Sequence, residues 1–191
     1  MGAAKKDTSK IILASAFKCI SSRGCASVTL REIAEDAGVA LSQLNYYYEN
    51  KEGLFAEVLK SIRIEYITGI EVNMAQFGTV KSKIAFLIGH NRQLLQTNQA
   101  LYRSFLDFFN LAMWSESFRK DMNAFLNDIA VAIEKQIEEK DPAMDASGAY
   151  SPSALARMIL GTSFGIAMQY LLNPEHEELL DGFSILESVL Q

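Results

Sequence analysis

The sequence predicts an all-α protein of about nine helices, in which a three-helix N-terminal domain precedes a larger helical domain. Apolar residues recur at intervals of three and four along almost the whole chain, as they do on one face of a helix. No Asn-Gly or Asp-Gly turn joins two alternating apolar and polar segments, as a β-hairpin would require. With 191 residues, of which 49% are hydrophobic and 21% charged, the composition is that of a globular protein. We place the two domains at residues 1–50 and 51–191.

Local signals define the first two helices. The first is predicted to begin after Thr8, which can act as its N-cap, and to end at Gly24. The second begins with a capping box, in which Thr29 and Glu32 each satisfy a backbone N–H of the other. It is predicted to end at Gly38, because glycine readily adopts the positive φ of a helix terminus.

The remaining helices follow from apolar periodicity. A short third helix covers about residues 41–48, and Asn50 can cap a longer fourth helix. The segment 141–151 is rich in small and polar residues and is predicted to be a loop. Five further helices are predicted at Val80–Thr97, Ala100–Met113, Glu116–Glu139, Pro152–Leu172 and His176–Leu190.

Charge is distributed unevenly along the chain. Residues 1–31 contain six basic side chains against one acidic side chain, a local charge of +5. From residue 61 onward ten basic side chains face sixteen acidic ones, a charge of −6. The N-terminal part could therefore approach a polyanion such as nucleic acid, although basic N-terminal segments are also common as solvated tails.

The cysteines and the apolar segments exclude several classes of protein. Cys19 and Cys25 have no Cys-x-x-Cys spacing and no histidine nearby, so we expect free thiols and no metal or other cofactor. The polar segment 1–10 predicts no signal peptide. The longest apolar segment, 158–172, has about 15 residues, short of the ~20 that a membrane helix needs. We therefore expect a cytoplasmic protein without a membrane partner.

The segment Ile33–Tyr47 has the spacing of a helix-turn-helix. Ala34 allows the second helix to cross closely, and Gly38 permits the sharp turn. The residues that pack the second helix against the first are Val39, Leu44 and Tyr47. The residues left exposed, on a helix whose first half could enter a major groove, are Ser42, Gln43, Asn45 and Tyr46. An αα-corner with a polar surface is the alternative that the spacing alone leaves open.

Three stretches of this region resemble the TetR family of transcriptional regulators, namely Thr29–Ala34, Ala37–Val39 and Leu44–Leu54. The most specific part is the aromatic run that ends at Tyr48 and is followed by Lys51-Glu52-x-Leu54. The resemblance covers about residues 8–60. The rest of the chain agrees with the family only in its number of helices and in total length. It implies an N-terminal DNA-binding domain, a larger effector-binding and dimerisation domain, and a double-stranded DNA operator as partner.

The resemblance also implies roles for individual residues. The residues placed on DNA phosphates are Thr29, Tyr46, Tyr47 and Lys51. The residues placed near base edges are Arg31, Leu41, Ser42, Gln43 and Asn45. Thr29 and Lys51 also stand at predicted helix N-termini, where free N–H groups favour a phosphate. The chain departs from the family at Asn45, where Tyr is usual, and at Ala40, where Ser is usual.

A dimer is expected because one helix-turn-helix contacts few bases and a two-fold dimer reads two half-sites. The resemblance implies that the last two helices form the interface with their mates. The candidates are Leu155, Ile159, Gly161, Phe164, Gly165, Met168, Leu172, Leu179, Phe183, Leu186 and Leu190. For each of them a place in the core of the single chain is the alternative.

The same region contains Gly161-Thr162-Ser163-Phe164-Gly165, which matches the G-x-S-x-G elbow of hydrolases. That elbow requires a preceding strand, whereas a helix is predicted here, so we do not expect an enzyme and name no catalytic residue. Gly161 and Gly165 instead suit a close approach of two helices.

The middle helices carry many aromatic and methionine side chains. In the family that the chain resembles, these helices enclose an effector cavity, and such walls suit a hydrophobic small molecule. The candidate pocket residues are His90, Tyr102, Phe105, Phe109, Met113, Trp114, Met122 and Phe125. Most of the apolar ones must belong to the core, and a lone histidine such as His90 is more often a surface or satisfied residue than a ligand contact.

The resulting hypothesis is a homodimeric repressor that leaves a palindromic operator when a small-molecule effector binds. The alternative is a helical small-molecule binding or interaction protein without operator recognition. The sequence does not distinguish a repressor from an activator, and it does not specify the operator, the effector or the regulated genes.

Overall fold

A computed structural model describes residues 2–137 and 151–190 of the chain, with side chains from residue 7 onward. Within these ranges the prediction of an all-α fold is confirmed, because they contain nine α-helices, one 3-10 helix and no strand. The elements are α1 (Gly2–Arg23), α2 (Leu30–Asp36), α3 (Leu41–Tyr47), α4 (Lys51–Met74), α5 (Val80–Thr97), α6 (Gln99–Trp114), α7 (Glu116–Ile137), α8 (Pro152–Leu172), η1 (Glu177–Leu180) and α9 (Asp181–Leu190).

The chain divides into two compact units. The first unit comprises Met1–Ile62 and Arg103–Phe125, and the second comprises Arg63–Tyr102 and Leu126–Gln191. The first unit therefore contains α1 to α3 together with the first half of α4, most of α6 and the start of α7. This division is not the one placed at residue 50, which separates the chain by expected function.

The core of the first unit joins the N-terminal helices to the middle of the chain. Phe55 of α4 packs on Phe108 of α6 with ring centroids 6.4 Å apart, and Phe108 packs on Phe118 at 5.6 Å. All three rings are fully buried. Burial of this much aromatic surface is a large stabilising contribution, since each such side chain removes roughly 150–250 Å² from water.

The second unit is a helical bundle with a polar group at its centre. Asn91 of α5 is 2% exposed. Its side-chain oxygen accepts a hydrogen bond from the Tyr66 hydroxyl at 2.7 Å, and its amide nitrogen donates to the Ser163 hydroxyl at 3.3 Å. Because buried polar groups must be hydrogen-bonded, this network fixes α4, α5 and α8 relative to one another.

Two predicted helix starts are wrong. Helix α1 begins at Gly2 instead of after Thr8, since the alanines and lysines that precede Thr8 are themselves good helix formers. The last segment does not begin as an α-helix at His176: it opens with the 3-10 turn η1, and α9 starts at Asp181. Such tighter turns are frequent at helix ends.

The other helices start within one residue of the predicted positions, and α5 and α8 have the predicted bounds at both ends. The end of the seventh helix at Glu139 and the loop at 141–150 lie outside the described residues.

Helix α8 extends beyond the apolar segment 158–172 to its predicted start at Pro152. Its 21 residues are long and apolar enough to cross a membrane by length and composition alone, and 44% of its most apolar window is buried. A core helix of a bundle passes the same test, and α8 packs against α5, η1 and α9.

Candidate functional site

The capping box at the start of α2 has the predicted geometry. The Thr29 hydroxyl accepts a hydrogen bond from the Glu32 backbone N–H at 3.3 Å, and the Glu32 carboxylate accepts from the Thr29 backbone N–H at 2.8 Å. Hydrogen bonds from Thr29 and the neighbouring Arg23 guanidinium hold the pKa of Glu32 below its usual range. The N-terminus of α2 is thus rigidly formed with Thr29 exposed beside it.

Surface ion pairs occupy part of the basic N-terminal segment. The Lys18 ammonium lies 2.6 Å from the Asp36 carboxylate, and the Arg23 guanidinium lies 2.5 Å from that of Glu32. The hydrogen bond from Lys18, supported by one from Ser15, lowers the pKa of Asp36. These exposed pairs link α1 to α2, although each contributes little to stability.

The turn between α2 and α3 matches a helix-turn-helix. Gly38 has φ +66°, a left-handed conformation that most residues adopt only with strain. The Val39 backbone N–H then donates to the Ala34 carbonyl at 2.9 Å, which brings the chain back onto α2. Ala40, the N-cap of α3, forms no side-chain capping bond, as its departure from serine implies.

Helix α3 presents a polar face. Leu44 is completely buried and holds the helix against the unit. Tyr46 is 71% exposed, whereas Leu41 and Tyr47 are half-buried. The remaining candidate base-edge residues on α3 are all exposed: Ser42, Gln43 and Asn45. Arg31, on α2, is exposed as well.

The aromatic run also has a structural role that the sequence did not reveal. Tyr48 is buried, and its hydroxyl lies 2.9 Å from that of Ser9 on α1. The ring centroids of Tyr46 and Tyr47 lie 5.7 Å apart in an edge-on arrangement. The run therefore anchors the end of α3 to α1 while it exposes one ring.

The start of α4 is capped as predicted. The Asn50 side-chain oxygen accepts a hydrogen bond from the Gly53 backbone N–H at 2.8 Å. The Lys51 ammonium lies 3.4 Å from the Ala26 carbonyl and 5.5 Å from the centre of the Phe55 ring. Lys51 thus stands at the N-terminus of α4 beside the loop that leads into α2.

Four of the dimer candidates are core residues of the second unit. The chain's own helices already bury their side chains. These residues are Leu155, Ile159, Phe183 and Leu186. Phe164, Gly165, Leu179 and Leu190 are half-buried, and the Phe164 ring packs edge-on against Tyr102.

The outward face of α8 and α9 carries a different set of residues. Gly161 is exposed, Met168 is 47% exposed and Leu172 is 80% exposed. The exposed apolar residues of these helices that the sequence did not single out are Met158, Ile185 and Val189. Periodicity alone could not find Met158, since α8 has no clear polar face.

The candidate effector residues fall into both units. His90 and Tyr102 belong to the second unit, and the other six belong to the first. Four of the eight are buried: Tyr102, Phe105, Met122 and Phe125. Met113 and Trp114 instead lie on the surface of the described chain, at 63% and 85% exposure.

His90 is half-buried and stacks on Phe86 with centroids 5.6 Å apart. Burial lowers the pKa of His90 below its ordinary value of 6.5. Among the described residues, no group of three His, Cys, Asp or Glu side chains could hold a metal ion.

Comparison with known proteins yields a family match over the N-terminal region. Residues 12–58 match the family model of bacterial regulatory proteins of the TetR family. The HTH-type transcriptional regulator BetI of Brucella abortus (strain 2308) is 26% identical over 109 residues. That match covers 57% of this chain and 55% of the relative, so the chain spans about half the length of this relative. The matched relatives are transcriptional regulators and not enzymes.

Solved structures with the same fold cover nearly the whole chain. A TetR transcription regulator from Haloarcula marismortui has a TM-score of 0.81 at 17% identity and covers 96% of each chain. The regulator FadR from Bacillus subtilis in complex with stearoyl-CoA has a TM-score of 0.80 at 20% identity, with 95% of this chain and 96% of that chain covered. At these identities the likeness shows a shared fold.

Proposed function

Because the chain belongs to the TetR family of bacterial regulatory proteins, we propose that it is a sequence-specific DNA-binding transcriptional regulator. The observation that carries this proposal is helix α3, which buries Leu44 and exposes Ser42, Gln43, Asn45 and Tyr46. A helix with one buried anchor and several exposed amide and hydroxyl groups suits the major groove, where such groups read base edges.

Two helix N-termini flank this reading helix and supply phosphate contacts in the proposal. The starts of α2 and α4 offer backbone N–H groups and the positive end of a helix dipole. Thr29 stands at the first of them and Lys51 at the second. Phosphate contacts fix the register of the protein on the duplex, and α3 then selects the sequence.

We further propose that the chain acts as a homodimer through α8 and α9. One side of α8 carries four exposed residues, Met158, Gly161, Met168 and Leu172, with the half-buried Gly165 between them, each three or four residues from the next. Exposed apolar faces of this kind mark interaction surfaces, and glycines let two helices approach closely.

This dimer has a direct test by sedimentation equilibrium. Met168→Asp should give a monomer, since each copy would then bury a carboxylate in the apolar interface. Asn123→Asp, at an exposed position of α7 outside the proposed interface, is the control for the added charge. An unchanged mass for both variants would place the interface elsewhere.

A hydrophobic small molecule is the effector in this proposal, and its binding releases the operator. The related fold of FadR holds stearoyl-CoA, and the middle helices of this chain carry buried aromatic side chains. Release follows if the effector binds the DNA-free arrangement more tightly than the DNA-bound one. Stearoyl-CoA is the first probe: displacement of a fluorescent operator duplex supports an acyl thioester as effector, and no displacement contradicts that class.

Selection of tight binders from a random duplex pool tests the DNA-binding function itself. Enrichment of one inverted repeat, with half-sites about one helical turn (~34–36 Å) or a multiple apart, is the expected result. Binding that is weak, salt-sensitive and independent of sequence would contradict operator recognition. It would favour the alternative, a helical binding protein whose helix-turn-helix is a packing corner.

A further inference from the structure

Two carboxylates in the first unit connect the DNA-facing helix starts to α6 and the turn after it. The Asp107 carboxylate on α6 accepts a hydrogen bond from the Cys25 backbone N–H at 2.8 Å. The Glu52 carboxylate on α4 accepts from the hydroxyls of Ser115 at 2.7 Å and Ser117 at 3.0 Å. These contacts join residues 82, 63 and 65 positions apart in the sequence.

Asp107 holds the loop that leads into α2. Gly24 ends α1 with φ +80°, and a Cβ added there would lie 2.8 Å from the Asp107 carboxylate oxygen. The loop is packed, since Cys25 and Val28 are both buried. Thr29 follows directly, so the position of Asp107 determines where the N-terminus of α2 lies.

Glu52 holds the first turn of α4. It is the second residue of that helix, next to Lys51. Its partner Ser115 also caps α7, because the Phe118 backbone N–H donates to the Ser115 hydroxyl at 3.3 Å. The Glu52 carboxylate thus lies at the N-terminus of α7, where the helix dipole favours a negative charge.

We propose that Asp107 and Glu52 are positioning residues for operator binding, which hold the N-termini of α2 and α4 in register through α6 and the α6–α7 turn. The proposal rests on the proposed DNA-binding function and names residues that position its phosphate contacts. Asp107 holds the start of α2 to α6, whereas Glu52 holds the start of α4 to the α6–α7 turn and the first turn of α7. Because the Glu52 carboxylate joins the first turn of α4 to Ser115, a duplex that engages the start of α4 should also alter the surroundings of the residues next to Ser115.

Matched substitutions separate the hydrogen bonds from the charges. Glu52→Ala and Glu52→Gln both remove the charge, but only Gln retains an oxygen that can accept from the serines. Asp107→Ala and Asp107→Asn form the same kind of pair for the Cys25 N–H. The duplex selected with the wild-type protein is the probe, and its Kd is measured by fluorescence anisotropy below the melting temperature of each variant.

The expected result is an operator Kd raised about 5- to 150-fold in each Ala variant, the range of typical coupling between sites. The Gln and Asn variants should stay within about threefold of the wild type. A merely structural role would lower the melting temperature of the Ala variants and leave Kd unchanged for the folded protein. Kd values within twofold of wild type in both Ala variants therefore overturn the proposal.

A second measurement uses the chain's single tryptophan. Trp114 is the last residue of α6, precedes Ser115 and is 85% exposed. Operator binding should change the acrylamide quenching of Trp114 in the wild type and in Glu52→Gln, and this change should disappear in Glu52→Ala. No change in the wild type, or an equal change in Glu52→Ala, overturns the coupling. If the wild type selects no duplex, the proposed function fails and this inference fails with it.

Discussion

Replacement of Leu44 by Ala tests whether one buried side chain holds α3, the proposed DNA-reading helix, in place. Helix α3 has seven residues, and its N-cap Ala40 forms no side-chain capping bond. A helix this short is unstable in isolation, because about 12–15 residues are needed even for good helix formers. Its position therefore depends on packing, and Leu44 is its one completely buried side chain among the described residues.

The expected loss of stability in Leu44→Ala follows from the complete burial of Leu44. A fully buried Leu→Ala change costs about 2–5 kcal/mol, from lost transfer energy and the cavity left behind. For a chain of this length each kcal/mol lowers the melting temperature by about 2–4 °C, so the expected decrease is about 4–20 °C. If α3 undocks on its own, a 2 kcal/mol loss raises the operator Kd by up to about 30-fold.

The assay combines thermal unfolding by circular dichroism with operator binding well below the melting temperature. Leu44→Met is the control, since a swap of similar volume costs less than about 1.5 kcal/mol. We expect Leu44→Ala to melt lower and to bind the operator less tightly than Leu44→Met. Equal melting temperatures and equal affinities for the two variants would refute the view that Leu44 positions α3.

Three further predictions concern single side chains. Lys51→Ala should flatten the slope of log affinity against log salt by about one unit, measured by anisotropy at several salt concentrations, because one phosphate contact is lost. Burial and the Asp107 charge raise the pKa of Cys25 to about 12, so this thiol should stay unmodified by iodoacetamide at pH 8 until denaturant is added, as read by mass spectrometry. Burial lowers the pKa of His90, so as the pH falls below about 6.5 the histidine of the unfolded chain takes up a proton before that of the folded chain. The free energy of unfolding, measured by urea titration, should therefore decrease in that range. His90→Gln should reduce the decrease.

Signals that act within a few residues could be predicted from the sequence. The capping box of Thr29 and Glu32, the Asn50 cap and the positive φ of Gly24 and Gly38 each depend on near neighbours and are present in the structure. The Thr8 cap failed for the same local reason, since the residues before it favour a helix as strongly as those after it.

Contacts between distant residues left no such signal. Asp107 and Cys25 are 82 positions apart, and neither belongs to a recognisable motif. Ser163 attracted notice only as part of a false hydrolase motif, whereas its role is to accept a hydrogen bond from Asn91. Such pairings depend on how helices dock, and periodicity gives the buried face of a helix but not its partner.

Helix α8 shows where periodicity itself fails. A helix with one apolar face reveals which side is buried, but α8 has no clear polar face, so Ile159 and Leu172 look equivalent in the sequence. In the structure Ile159 is completely buried and Leu172 is 80% exposed. A helix that is apolar on its outer side as well has more to cover than its own protomer provides, which supports the proposal that a second copy packs there.

The basic N-terminal segment is less available to DNA than its charge of +5 suggests. Of its six basic side chains, Lys18 and Arg23 already hold the carboxylates of Asp36 and Glu32. These pairs are exposed and weak, but a phosphate must compete with a carboxylate to bind either cation. In the proposed function the phosphate contacts therefore depend more on the N-termini of α2 and α4, whose dipoles need no free cation. We therefore expect that displacing those two helix starts would change operator affinity more than the loss of a basic side chain from α1.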